Sequence, residues 1–243
     1  KHIFKYYLYF REINSNKMKK YFYLIIILFF QLNVFAHSDH YKSISKIEMD
    51  VLRNGEKIGF SDYFFKHKNN KMEVKNFTEF EVKLLSVVLL SIKSESVEKY
   101  ENNKLFFFES STLQNNKRKF VNLKLNKNSN KFVIHGSSFK GETDTNKVIG
   151  NWWNSNILLA KSQISPLSGS IKEQTVKLLK RETINVNGKA YDAFRYKLKS
   201  KNQNLPDDKK LDFDIWLDHK EGFIVKISYE RMGKWEYILK NYE

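Results

Sequence analysis

The sequence predicts a mainly β protein: one large curved antiparallel sheet, a half-barrel or open barrel, with a short helix packed on it. Three observations lead there. From residue 47 onward, apolar side chains recur at every second position, the period of a strand with one buried face. The alternating runs are separated by short turn signals, chief among them Asn54-Gly55 and Asn187-Gly188, pairs that tolerate positive φ at both hairpin positions. One stretch, residues 148–160, drops the period.

Taken in order, Ile47, Met49 and Val51 alternate with Glu48 and Asp50, and Asn54-Gly55 turns the chain into a partner strand over 58–65. After Asn69-Asn70, residues Met72, Val74, Phe80, Val82 and Leu84 share one phase against Glu73, Lys75, Glu79, Glu81 and Lys83. Residues 86–92 lack that polar alternation, which predicts either a strand buried on both faces or a short buried helix. The meander resumes with 97–101 and 105–112 around the turn 102–104, then 121–125 and 132–139. Trp152-Trp153-Asn154 and Ile157-Leu158-Leu159 read as a short helix lying across the sheet, ended by Ser165-Pro166 and Gly169. Strands return over 171–179, 182–186 and 190–198. After the polar loop 199–210 come 211–217, 223–229 and 235–239. About ten strands are expected, in one domain without internal repeats.

The chain has 243 residues, 41% hydrophobic, enough for a sizeable core. It contains no cysteine, which excludes disulfides, a thiolate nucleophile, iron–sulfur clusters and a lipid-modified N-terminal cysteine. The formal net charge is +16, but 37 of the 43 basic residues are Lys. Phosphate recognition recruits Arg for its planar fork, so the charge does not point to nucleic acid as a partner.

Met18-Lys19-Lys20 precedes the apolar run 21–30 and then Val34-Phe35-Ala36. A positive start, a short apolar stretch and small residues before a cleavage point describe a secretory signal peptide over 18–36, cut after Ala36. The run is too short to span a membrane, so no integral segment is expected after cleavage. Residues 1–17 are expected to be an over-extended start, and 37–243 a single β-rich domain in the periplasm or outside the cell. That domain keeps a formal charge of +11.

Several landmarks in order and spacing resemble a family of exported bacterial proteins of unknown function, itself similar to the lipoprotein-carrier (LolA/LolB-like) half-barrels. They are Asn54-Gly55-Glu56-Lys57-Ile58-Gly59, Val82-Lys83-Leu84-Leu85-Ser86-Val87-Val88, and Glu98-Lys99-Tyr100 ahead of Ser110-Ser111-Thr112. Further on stand Trp153-Asn154 with Ile157-Leu158-Leu159, Leu167-Ser168-Gly169, and Val186-Asn187-Gly188-Lys189-Ala190. Ile215-Trp216-Leu217-Asp218 and Trp235-Glu236-Tyr237 close the set. Leu89-Leu90-Ser91 and the extra Trp152 depart from the family pattern. The resemblance implies export and an open half-barrel whose concave face holds something apolar, or nothing.

Residues that could carry chemistry are sparse. His37-Ser38-Asp39-His40 could chelate a transition metal through the new terminal amine and an imidazole, but a frayed polar terminus accounts for it better. No His-x-x-x-His spacing occurs, and no metal or other cofactor is expected. Asp207, Asp208, Asp212, Asp214 and Asp218 cluster without a calcium-loop glycine and read as a solvated face. There is no Gly-x-Ser-x-Gly elbow or phosphate loop. No catalytic residue is assigned.

The aromatic residues say more. Phe80, Phe106, Phe108, Trp152, Trp153, Phe213, Trp216 and Trp235 are the candidate ligand-binding set; the plainer reading makes them core. Phe106-Phe107-Phe108 puts apolar groups on both faces of one strand. The expectation is a non-enzymatic exported protein that binds a hydrophobic or lipid-like ligand, or a protein partner at the cell envelope. The alternatives are a hydrolase or metal-dependent enzyme built from strand ends, and a cell-envelope structural or interaction module. A pocket continuous with Phe106, Phe108 and Trp216 would favour the binder. A Ser or Asp bonded to a histidine in a cleft would favour the enzyme, and a fully packed concave face the interaction module.

Overall fold

The computed structural model describes residues 40–243, with Asp208 set aside. The readings for 1–17, for the signal segment 18–36 and for His37 and Asp39 lie outside the described residues. His40–Glu243 is one compact unit.

Fifteen strands occur among the described residues: β1 Lys46–Arg53, β2 Glu56–Lys68, β3 Lys71–Leu84, β4 Val87–Glu101, β5 Lys104–Gln114, β6 Lys117–Asn126, β7 Lys131–Gly136, β8 Lys140–Asp144, β9 Val148–Ile149, β10 Ser162–Ile164, β11 Ile171–Val186, β12 Lys189–Ser200, β13 Asp212–Asp218, β14 Ile224–Glu230 and β15 Lys234–Tyr242. They form one open sheet in the order β8-β7-β6-β5-β4-β3-β2-β1-β15-β14-β13-β12-β11-β10-β9. All pairs are antiparallel except β9 with β10. The two expected strands over 171–186 are a single strand, β11, with a register shift between Leu178 and Lys180.

The hairpins explain much of the asparagine. Of eleven non-glycine residues at positive φ among the described residues, eight are Asn: 54, 69, 102, 103, 115, 116, 130 and 187. Asn tolerates the left-handed conformation that two-residue hairpins need. The other three, Leu85, Ser86 and Met232, all lie at one end of the sheet. That upper end carries the turns 54–55, 85–86, 115–116 and 231–233 and the loop 201–211; the turns 69–70, 102–103 and 187–188 lie at the lower end.

Laid flat, fifteen strands would span about 70 Å. The segment 148–164 nonetheless touches strands far apart in the order. Ile149 and Ile164 pack on Phe108, Val121, Leu123, Phe132 and Ile134 of β5–β7. Trp153, Ile157 and Leu158 pack with residues of β1–β3 and β12–β15. The sheet therefore curls around this segment as a plug. The expected helix over 148–160 is reduced to one 3₁₀ turn, Ser155–Leu158, between β9 and β10. Gly136 and Gly169 allow the return of the plug to press on β7: a Cβ on Gly136 would sit 2.6 Å from the Ser168 carbonyl oxygen.

A buried plug with irregular backbone must find partners for its polar groups, and side chains from the sheet, from the 3₁₀ turn His40–Ser43 before it and from the plug itself supply them. The Tyr41 hydroxyl donates to the Trp153 carbonyl at 2.7 Å. Gln174 Nε2 donates to the carbonyls of Ile157 and Ala160 at 2.8 and 3.0 Å. Asn154 caps the 3₁₀ turn by accepting from the Asn156 amide at 3.0 Å.

Residues 86–92 are the clearest correction. They belong neither to a doubly buried strand nor to a helix. β3 and β4 run past the end of their neighbour β5, whose last paired residue, Gln114, faces Ile92. The ribbon beyond it leaves Leu84, Leu85, Val87, Val88 and Leu89 exposed.

Candidate functional site

The aromatic residues singled out in the sequence do not form one site. Phe80 and Trp235 meet edge-to-face at 5.6 Å in a small core with Val51, Val82 and Ile92, at the base of the projecting ribbon. Phe108 is fully buried in the core under β5–β7. Phe106 is the extra residue of a bulge, since Tyr100 pairs with Leu105 and Lys99 with Phe107. That bulge accounts for three consecutive phenylalanines: Phe108 points in, Phe107 lies under the Lys99 ammonium at 5.3 Å, and Phe106 is half-buried between them. Trp216 is on the opposite sheet face from Ile215 and Leu217. It donates to Glu182 at 3.0 Å, with Arg195 and Lys226 over its ring.

Trp152 and Phe213 do come together, ring centroids 5.0 Å apart. With Tyr229 and Tyr237 they floor a cavity of about 620 Å³ at the upper end, between the plug and β13–β15. Tyr229 stacks on Trp235 at 5.8 Å, tying the cavity to the base of the ribbon. The rim is polar: Lys210 pairs with Asp207 at 2.9 Å, and Arg231 donates to the carbonyls of Asp207 and Lys210 at 2.8 and 3.1 Å. Burial pushes the Tyr229 hydroxyl up to about 12 and raises that of Tyr237 as well, so both stay neutral. The cavity presents neutral aromatic surface below and charged groups above.

A second site escaped the sequence reading. Trp153 is at the centre of the molecule, edge-on to Tyr41, Phe65 and Tyr100. Its indole Nε1 donates at 2.8 Å to Glu98 Oε1. The Asn151 amide donates to the same oxygen, and the Tyr100 hydroxyl to Oε2. Glu98 is 1% exposed and has no cationic partner among the described residues. Burial raises its pKa and outweighs the lowering by those three donors. Its parity was visible in the sequence, since Ile92, Ser94, Ser96, Glu98 and Tyr100 share a face. The polar residues in that row concealed that it points inward.

Of the acidic cluster, Asp207, Asp212 and Asp214 are in ion pairs, and Asp208 lies outside the described residues. For Asp214, burial acts to raise the pKa, but bonds to Lys197 and Arg195, each with an ion pair at 2.9 Å, more than reverse it. Asp212 pairs with Lys197, and Asp218 accepts from the Glu221 amide at 2.8 Å. His67 bonds the Ile44 carbonyl at 3.1 Å, while His135 and His219 lie edge-on to Phe120 and Phe194. Among the described residues, no group of three or more His, Cys, Asp or Glu side chains is placed to hold a metal ion.

A family profile, "Domain of unknown function (DUF6134)", matches residues 49–240, which run from β1 to β15 and include the plug. The chain belongs to the DUF6134 family. This DUF6134 chain is also similar in fold to a beta-barrel-like protein of the domain of unknown function DUF1849 from Brucella abortus. The match has a TM-score of 0.57 and 11% identity, and it covers 82% of this chain and 97% of that one. No curated protein matches the chain.

Proposed function

We propose that this DUF6134 protein is an exported, non-enzymatic binding protein that holds an amphipathic, lipid-like ligand in the cavity at the upper end of its curled sheet. The observation that carries the reading is the neutral aromatic floor of Trp152, Phe213, Tyr229 and Tyr237 beneath the rim of Lys210 and Arg231. An apolar moiety would stack on the floor and a polar head would meet the rim. A volume of about 620 Å³ is within the usual range of small-molecule sites, and a few polar groups around an apolar lining is their usual make-up. The export half of the reading rests on residues 18–36. The resemblance of the sequence landmarks to lipoprotein-carrier half-barrels implies a concave face that holds something apolar, or nothing. Of the residues first singled out, Trp152 and Phe213 are assigned to ligand contact.

Native mass spectrometry of the protein purified from the periplasm, followed by organic extraction, tests this. The expected result is a co-purifying species of defined mass that is lost in Phe213→Asp. A wild-type protein of bare mass that takes up no lysophospholipid or fatty acid would overturn the reading.

A further inference from the structure

The projecting ribbon raises a separate question. From Lys83 to Lys93 the sequence is Lys-Leu-Leu-Ser-Val-Val-Leu-Leu-Ser-Ile-Lys, with no charge between its two lysines. Leu85 is 92% exposed at the tip, and Leu84, Val87, Val88 and Leu89 are exposed below it. Scattered apolar residues on a surface are ordinary, but a contiguous patch on a two-stranded projection marks a contact surface.

The turn itself points the same way. Leu84 pairs with Val87, so Leu85-Ser86 is a two-residue hairpin loop, with φ of 48° and 68°. The chain places Asn or Gly at the corresponding positions of its 54–55, 102–103, 115–116 and 187–188 hairpins. Here it holds a leucine in a conformation that leucine disfavours, which puts the largest apolar group at the outermost point. Local chemistry that breaks the rule followed elsewhere is a sign of function.

Charge decides the partner. The β5–β6 turn stands against the ribbon: the Asn115 amide donates to the Ser91 carbonyl at 3.0 Å, and Asn115 Nδ2 to the Leu89 carbonyl at 3.1 Å. Directly after it come Lys117-Arg118-Lys119, of which Lys117 and Arg118 are exposed. Lys83 and Lys93 flank the apolar stretch and pair with Glu81 and Glu79 at 2.7 and 3.5 Å. An apolar tip above a collar with surplus positive charge fits an anionic bilayer surface, where leucines enter the acyl boundary and Lys and Arg meet headgroups.

We propose that the β3–β4 ribbon is a membrane-docking finger that inserts Leu84, Leu85, Val87, Val88 and Leu89 into an anionic lipid interface. The surface is separate from the cavity and does not depend on the cavity's having a ligand. It shares the upper end with the cavity mouth, so docking would bring that mouth to the lipid.

Because the chain has no cysteine, Ser86→Cys and Asn130→Cys each give one labelling site, at the tip and at the lower end. The test uses the unit His40–Glu243, which contains all fifteen strands and all three cores, bearing an environment-sensitive fluorophore. Vesicles are phosphatidylcholine alone or with one part in three phosphatidylglycerol. The expected result is a blue shift at position 86 but not at 130, on phosphatidylglycerol vesicles only. In co-sedimentation, Leu85→Asn should bind about tenfold more weakly, and Lys117→Glu/Arg118→Glu should lose the anionic preference. Leu85→Asn restores the residue type of the other hairpins, so its folding is not at risk. Equal binding by Leu85→Asn, or equal shifts at both labels, would overturn the proposal. So would a lipid-free dimer that Leu85→Asn dissolves, because the occupant would then be a second copy. A ligand-free protein that still docks would leave the finger standing and remove only the cavity reading.

Discussion

Strand β4 reverses the usual rule twice along its length. Its first residues, Val87 to Leu89, are apolar and face solvent, while Ser94, Ser96 and Glu98 further on are polar and buried. The difference is set by neighbours and not by composition. Beyond Ile92 toward the turn β5 no longer pairs with β4, and only Asn115 of the β5–β6 turn bonds to it, at Ser91 and Leu89. From Ser94 onward β4 is paired on both sides, and its inner face meets the plug. The apolar half is free because its partner is elsewhere. In the polar half Glu98 accepts from Asn151 and Trp153 of the plug, and Ser94 bonds Thr112 of β5. One half is an outward contact surface, and the other holds the interior together.

The sharpest way to break this comparison is to remove the buried carboxyl. Glu98→Ala would leave the Trp153 indole, the Asn151 amide and the Tyr100 hydroxyl without their acceptor and open a cavity beside them. A loss of about 3–5 kcal/mol is expected in urea unfolding. Leu89→Ser, on the exposed half of the same strand, should move stability by less than about 0.5 kcal/mol. Similar losses at both positions would mean that the ribbon is part of the fold after all.

The second effect is in pH. The folded-state pKa of Glu98 is raised by burial, so the native state holds its proton more tightly than the unfolded chain does. Its contribution is fully present below the unfolded carboxyl range and is lost as pH rises through the elevated value. Glu98→Gln keeps the acceptor for Trp153 and Asn151 without an ionisable group. Its stability should lie within about 1 kcal/mol of wild type at acid pH and fall less steeply as pH rises. Parallel pH profiles for the two proteins would show that the fold leaves the Glu98 pKa where the unfolded chain has it.

Much of this architecture was legible in the sequence, and the failures share a cause. Period-2 alternation and the Asn-Gly pairs at 54–55 and 187–188 located hairpins because those signals are local. Whether a strand face is covered depends on what stands beside and beneath it. Residues 86–92 read as buried since nothing local reveals that β5 stops at Gln114. Glu98 stands out locally only as part of a motif, and its phase with Ile92 and Tyr100 is the one sequence signal that it faces inward. The plug lost its expected helix because its backbone is satisfied by Tyr41, Gln174 and its own Asn154, partners that no periodicity encodes. Trp152 and Phe213 are both legible as candidates in the sequence, but the cavity that joins them also depends on Tyr229, which reads there only as part of a strand.

A third test separates the plug from the sheet. Trp153→Phe keeps most of the ring packing against Tyr41, Phe65 and Tyr100 but removes the Nε1–H that Glu98 accepts. About 2 kcal/mol should be lost. The same change in a Glu98→Ala background should cost less, because the acceptor is already gone and the effects of two residues that share one bond are not additive. Full additivity would show that the indole acts through packing alone.

The smallest effect has the opposite sign. Leu85 adopts φ of 48° with a side chain 92% exposed, so it contributes little packing to the fold and holds a backbone conformation that costs a leucine about 1–2 kcal/mol. Asparagine at that position matches the residue type at the chain's other two-residue hairpins and lowers the cost. Leu85→Asn is therefore expected to raise stability by about 0.5–1 kcal/mol, read as a higher urea midpoint at unchanged slope. A gain of that size would mean that the leucine is kept against the interest of the fold, as a contact surface requires. A loss would place Leu85 among the residues that hold the ribbon together and remove the contrast between the two halves of β4.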